Sequence, residues 1–196
     1  MLRELQIQYL SIIIIFIYSL SCEDNVIDNG NIIDYGVVIN EINYNSSDSF
    51  NPDDWVELYN NSNDTIDITS WLLKDEKDDH IFIIPSNTIL LPNQYIILCK
   101  DTIKFIDAFP NVLFTYGDFG FGLGGGSDAI RLFDLNGTLA DFVEYDDDLP
   151  WPLAADGEGP TLELKNPSLD NSLPGNWMAS EESGTPGLIN SVFTSN

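Results

Sequence analysis

The sequence predicts an all-β protein, an antiparallel sandwich or barrel with one short helix near residues 101–109. Three observations carry this. From Gly36 onward, β-branched and aromatic residues gather in short runs. Turn-forming residues separate those runs, most clearly Asn136-Gly137 and Pro92-Asn93. Helical spacing of apolar residues fits only one segment of the body, so there is nothing to alternate with strands in a βαβ pattern.

The N-terminus reads as an address. Arg3 and the free amine precede an apolar run, Tyr9 to Leu20. That run is shorter than the about 20 residues a spanning helix needs and has the length of a secretory signal core. Small residues at Ser19 and Ser21 favour cleavage at Ser21–Cys22, making residues 1–21 a signal peptide. A cysteine at the first mature position resembles bacterial lipoprotein signals, in which that thiol is acylated, so Cys22 is the expected lipid-attachment residue. Ser19 stands where that motif prefers Leu, and ordinary secretory cleavage at the same bond is the alternative. Either way the chain is exported, as a membrane-anchored lipoprotein at the cell surface or periplasm, or otherwise as a secreted protein. Residues 22–36 read as an acidic tether. About 160 residues then remain for folding, enough for one domain. It is placed at 37–190, with a short tail at 191–196.

The strands follow in order. Val37–Tyr44 is the first, and Trp55–Tyr59 the second, alternating with period 2. Thr65–Leu73 follows an Asn61–Asp64 turn and reads as one strand. His80–Ile84, Thr88–Leu91 and Tyr95–Cys99 come next, separated by Pro85 and Pro92-Asn93. Asp101–Phe109 has a capping Asp, apolar residues at helical spacing and Pro110 just beyond, hence the helix. Ala129–Phe133 and Leu139–Tyr145 flank the Asn136-Gly137 hairpin. Cys99, inside an apolar strand, reads as a buried small hydrophobe, and with only two cysteines no disulfide framework holds the fold.

These runs, in this order, resemble the lamin tail domain. The residues that carry the likeness begin with Val38–Ile42, Asp54–Asn60, Ile66–Trp71 and Leu91–Leu98. They continue through Gly126–Asp134 with Gly137, Trp151-Pro152, Asp156–Glu163, Trp177 and Gly184–Gly187. The resemblance implies an immunoglobulin-like β-sandwich and an attachment or scaffolding role rather than catalysis. Glu41 and Glu57 lie mid-strand in the first two of these motifs, where they can face one another as a polar pair.

Composition narrows the chemistry. With 32 Asp and Glu against 7 Lys and Arg, the net charge of −25 repels phosphate backbones and argues against direct nucleic-acid binding. Gly120–Gly125 satisfies the spacing G-x-G-x-x-G, but a strand rather than a helix follows it, so the pyrophosphate has no helix N-terminus to meet. His80 is the single histidine, and no serine sits in a nucleophile-elbow context. A zinc site lacks ligands.

Carboxylates are abundant in the loops: Asp48 with Asp53 and Asp54, Asp75 to Asp79, Asp146, Asp147 and Asp148, and Asp156 with Glu158. They form either a solvated acidic face or oxygen ligands for calcium, the one cofactor the sequence suggests. Trp55 and Trp71 fall in strand patterns and read as core. Trp151 and Trp177 either cap the sandwich or stack on sugars. The reading is therefore a non-enzymatic adhesion or binding module whose partner is a protein or a cell-surface glycan, touching the membrane only through its N-terminal lipid. A calcium-dependent carbohydrate-binding module and a metal-assisted hydrolase are the alternatives.

Overall fold

Alternation along the chain becomes two packed sheets in the computed structural model, which describes residues 33–195. The expected signal peptide, Cys22 and the expected tether as far as residue 32 lie outside the described residues. The strands are β1 (Val37–Asn43), β2 (Trp55–Asn60), β3 (Ile66–Asp67), β4 (Leu72–Lys74), β5 (Phe82–Ile83), β6 (Ile89–Leu90) and β7 (Tyr95–Cys99). After the helix α1 (Thr102–Ala108) come β8 (Thr115–Gly117), β9 (Ser127–Phe133), β10 (Leu139–Asp146), β11 (Leu162–Leu164) and β12 (Trp177–Ala179).

Six strands form the larger sheet in the order β12-β11-β1-β2-β7-β8, four form the facing sheet in the order β10-β9-β4-β5, and β3 pairs with β6 apart from both. Alternate residues of each sheet, among them Ile39, Ile42, Val56, Leu58, Leu98, Ile130, Leu132 and Val143, meet in one buried core. The all-β sandwich with one short helix is thus what the sequence predicted. The pairing is antiparallel with one departure, since β8 runs parallel to β7. Among the described residues no helix is long and apolar enough to cross a membrane.

Local chemistry explains most boundaries. The Asp101 carboxylate accepts from Lys104 N at 3.0 Å and starts α1. Phe105 plugs that helix onto Trp55, with ring centroids 5.6 Å apart. Gly137, at φ +81°, turns the β9–β10 hairpin, where Asp134 N donates to Thr138 O at 2.8 Å. The run Thr65–Leu73 is two strands instead of one. Trp71 N closes a turn on Ile68 O at 3.1 Å with Ser70 in the left-handed region at φ 62°, so β3 and β4 enter different sheets. The strands β8, β11 and β12 have three residues each, too short for a periodic signal.

Candidate binding site

The outward face of the six-stranded sheet gathers the chemistry. Along β2 the inward Val56 and Leu58 enter the core, while Trp55, Glu57 and Tyr59 face the other way. Their partners on β7 are Cys99, Ile97 and Tyr95. The three levels have different cover. Trp55 with Cys99 is sealed by α1 through Phe105. Glu57 lies beneath the C-terminal segment, and Tyr59 with Tyr95 borders an open groove.

At the middle level three glutamates line up across adjacent strands, Glu163 opposite Glu41 and Glu41 opposite Glu57. A β-bulge makes this possible. The register slips between Ile39, paired with Leu58, and Glu41, paired with Glu57. Without the extra residue, Glu41 would follow Ile39 into the core. All three carboxyls are fully buried, and residues 184–193 cover them. Thr185 N and Thr161 Oγ1 donate to Glu41 Oε1 at 3.1 and 2.6 Å. Gly187 N donates to Glu57 Oε2 at 2.6 Å. Glu163 accepts from Thr185 Oγ1, Ser191 Oγ and Val192 N at 2.7, 2.7 and 3.1 Å. Gly184, at φ +95°, fits because a Cβ there would collide with Glu41 Oε1.

Burial, then the charges of Glu57 and Glu163, push Glu41 well above the usual carboxylate range against those hydrogen bonds. Its Oε2 has no partner, as befits a neutral acid. Burial and the charge of Glu163 likewise push Glu57 up to about 8, against hydrogen bonds from Gly187 N and Asn40. The cluster is a buried clasp for the C-terminal segment. The facing of Glu41 and Glu57 follows the sequence reading. Glu163 escaped it, although Leu162-Glu163-Leu164 repeats the apolar–Glu–apolar pattern of Val56-Glu57-Leu58.

The groove at the third level has a volume of about 340 Å³. The Tyr59 and Tyr95 rings lie 4.6 Å apart at 34°, packed against each other on its wall. Asn40 and Asn190 border it, and Asn61, Asn166 and Ser168 supply further amides and a hydroxyl. Neither tyrosine stood out in the sequence, because an aromatic at an alternating strand position looks like core.

With this layout in view, the comparison with known families is decisive: the lamin tail domain matches residues 35–147. The chain belongs to the lamin tail domain family. The matched region ends before Glu163 and the C-terminal segment, yet β11 and β12 complete the same six-stranded sheet. A crystal structure of a DUF4876 family protein from Bacteroides thetaiotaomicron is similar over 76% of this chain and 68% of that one, with a TM-score of 0.45 and 11% identity. No curated protein matches the sequence.

In this lamin tail domain the predicted acidic sites part company. Asp53 and Asp54 are met by lysines: Lys100 Nζ lies 2.8 Å from Asp53 and 3.4 Å from Asp54, and Lys104 Nζ lies 2.7 Å from Asp53. Burial pushes the Asp53 carboxyl up, but the hydrogen bonds from Lys100, Lys104 and Asp54 N outweigh it and hold it at about 2. Ammonium groups thus stand where a metal ion would. Asp146, Asp147 and Asp148 do come together, with one carboxylate oxygen from each within 4.8 Å of the others. Desolvation, then the charges of Asp148, Asp156 and Asp146, raise the Asp147 pKa. Asp156 Oδ1 accepts from Asn45 Nδ2 at 2.6 Å, and Glu158 is exposed. The Asp146–Asp148 oxygens suit a hard cation chemically, though nothing beyond the carboxylates themselves marks a site.

The two tryptophans correct an expectation. Trp151 and Trp177 are both buried, 5% and 2% exposed, with ring centroids 6.1 Å apart. Trp177 Nε1 donates to Asn171 O at 2.7 Å. Neither indole presents a face for a sugar, so they cap the sandwich, because two large apolar rings gain more from packing on each other than from water. Among the remaining features, the glycine-rich loop leads straight into β9, and Gly124 O accepts from Tyr145 Oη at 2.8 Å. His80 is half-buried rather than simply surface-exposed. Its Nδ1 pairs with Asp75 at 2.5 Å and its ring stacks on Phe121. Cys99 is free and buried, and burial raises its thiol to about 11.

Proposed function

We propose that this lamin tail domain is a non-catalytic binding module, exported and held at the cell envelope through a lipid on Cys22. One observation carries the reading: the groups best suited to chemistry are occupied in holding the fold, while the open groove is built from amides, a hydroxyl and aromatic rings. Glu41, Glu57 and Glu163 are sealed beneath the C-terminal segment, where no substrate reaches them. His80 is bound to Asp75. Acid–base catalysis needs a titratable group within hydrogen-bond reach of substrate, and the groove wall offers no histidine, carboxylate or lysine, only two tyrosines. The acidic surface keeps such a displayed domain soluble and away from anionic polymers.

A paired experiment tests this. The full chain is incubated with isolated cell envelopes to measure saturable retention, and with chromogenic glycoside, ester and phosphodiester substrates, with and without chelator. Saturable retention without turnover is the expected result, together with a lipid mass on Cys22 that Cys22→Ser abolishes. Turnover lost on chelation would replace this reading with a metal-assisted hydrolase.

A further inference from the structure

One buried atom in the groove is unexplained by the fold. Asn40 is 1% exposed, and its Oδ1 has no hydrogen-bond partner. Its orientation is determined by its neighbours. Asn190 Nδ2 donates to Asn40 O and Leu164 O, at 3.0 and 2.8 Å, which leaves Asn190 Oδ1 as an acceptor. Asn40 Nδ2 donates to that oxygen and to Glu57 Oε1, both at 2.8 Å. Turning the Asn40 amide over would set its oxygen against Asn190 Oδ1. Its Oδ1 is therefore a fixed, unsatisfied acceptor at the edge of the groove, and an unmet buried acceptor carries a cost that a ligand donor can relieve.

The rest of the groove says which donor. In a chain with 32 Asp and Glu and 7 Lys and Arg, none of the lining residues is charged. Tyr59 and Tyr95, packed ring against ring, give the wall an aromatic surface. Asn61 Nδ2 is positioned by Pro167 O and Ser168 Oγ, at 3.2 and 3.3 Å, which holds its amide in place at the rim. An aromatic face flanked by amides and a hydroxyl matches a molecule with an apolar ring face and a hydroxyl edge. An extended peptide fits less well, because β2 is paired on both sides, by β1 and β7, and β8 covers β7 from Ile97 to Cys99. Anionic polymers meet the repulsion of the whole surface. The volume, about 340 Å³, falls at the small end of ligand sites, which run about 300–1,000 Å³.

We propose that this groove binds the end of a neutral saccharide, one sugar ring resting against the Tyr59–Tyr95 pair and one hydroxyl donating to Asn40 Oδ1. The proposal rests on the binding-module reading and names its ligand class. It moves saccharide recognition from the buried tryptophans to tyrosines on the opposite face of the larger sheet from the core, and it needs no calcium.

The test has two arms. In the first, the full chain and its Tyr95→Ala, Tyr95→Phe and Asn61→Ala variants, each checked for an unchanged melting transition, are applied to an array of neutral and acidic saccharides. Binding confined to neutral saccharides is expected, insensitive to chelator, weakened about tenfold or more by Tyr95→Ala and retained by Tyr95→Phe. In the second, envelopes are treated with periodate or with protease before retention is measured. Loss after periodate but not after protease supports the saccharide. Loss after protease alone identifies a protein partner and overturns it, while leaving the binding-module reading intact. Retention indifferent to Tyr95→Ala and Asn61→Ala places binding elsewhere and also overturns it. An array with no neutral binder overturns the saccharide even if envelopes retain the chain. Failure of the parent reading looks different, with neither envelope retention nor array binding and turnover instead.

Discussion

Two acidic regions of this lamin tail domain share one functional group and behave oppositely. Glu41, Glu57 and Glu163 sit side by side on adjacent strands, fully buried and hydrogen-bonded to the C-terminal segment. Asp146, Asp147 and Asp148 sit side by side in a surface loop, close enough to repel but with water and salt to relieve them. In the first, desolvation raises the Glu41 and Glu57 pKa values, and the carboxyls hold a segment by hydrogen bonds. In the second, desolvation and then neighbouring charge raise the Asp147 pKa, and the crowding opposes compactness. Proximity of like groups is thus a latch or a strain depending on solvent access.

The largest effect should come from breaking the latch mechanically. Gly184→Val adds a side chain where φ is +95° and where even a Cβ meets Glu41. We expect a loss of roughly 3–5 kcal/mol in chemical denaturation. Unchanged stability would mean that the C-terminal segment does not depend on the clasp. Removing one member, Glu163→Ala, leaves Thr185, Ser191 and Val192 without their acceptor. A loss of about 2–4 kcal/mol is expected, with faster proteolysis near residues 184–193 as the local signature.

The next effect is pH-dependent and distinguishes the two regions by sign of cause. Glu57 has a folded pKa raised from 4.5 to about 8. Between those values the folded chain holds a proton that the unfolded chain has released. Its contribution is therefore complete below the ordinary value and is lost as pH rises through about 8. Urea melts at pH 5 and pH 8.5 should differ by on the order of a few kcal/mol, and Glu57→Gln should flatten that dependence. If Glu57→Gln leaves the slope unchanged, loop repulsion rather than the clasp sets it.

The smallest effect belongs to the loop. Asp147→Asn removes one charge from its cluster and should raise the melting temperature at low ionic strength. The gain should fade as salt is added. A destabilised variant would show that Asp147 does more than repel.

Much of this architecture was legible. Period-2 alternation in β2 and short β-branched and aromatic runs in β7, β9 and β10 mark strands, and Asp101 and Gly137 mark a helix start and a hairpin by local bonding and φ. The same local logic failed at Thr65–Leu73, where a left-handed Ser70 splits the run, and at β11, where three residues are too few to show a period.

What the sequence determined by itself, then, is an acidic, β-rich chain with the lamin tail motifs and a Glu41–Glu57 pair, since each depends on neighbours within a few residues or on one strand pairing. The tertiary structure alone decided that Glu163 joins them, that residues 184–193 close over all three, that Lys100 and Lys104 neutralise Asp53 and Asp54, and that Trp151 and Trp177 face each other instead of solvent. It also set Tyr59 beside Tyr95 over an unsatisfied Asn40. These are contacts between residues distant along the chain. Whether a carboxyl or an indole meets water is decided by what packs over it, and no local pattern records that.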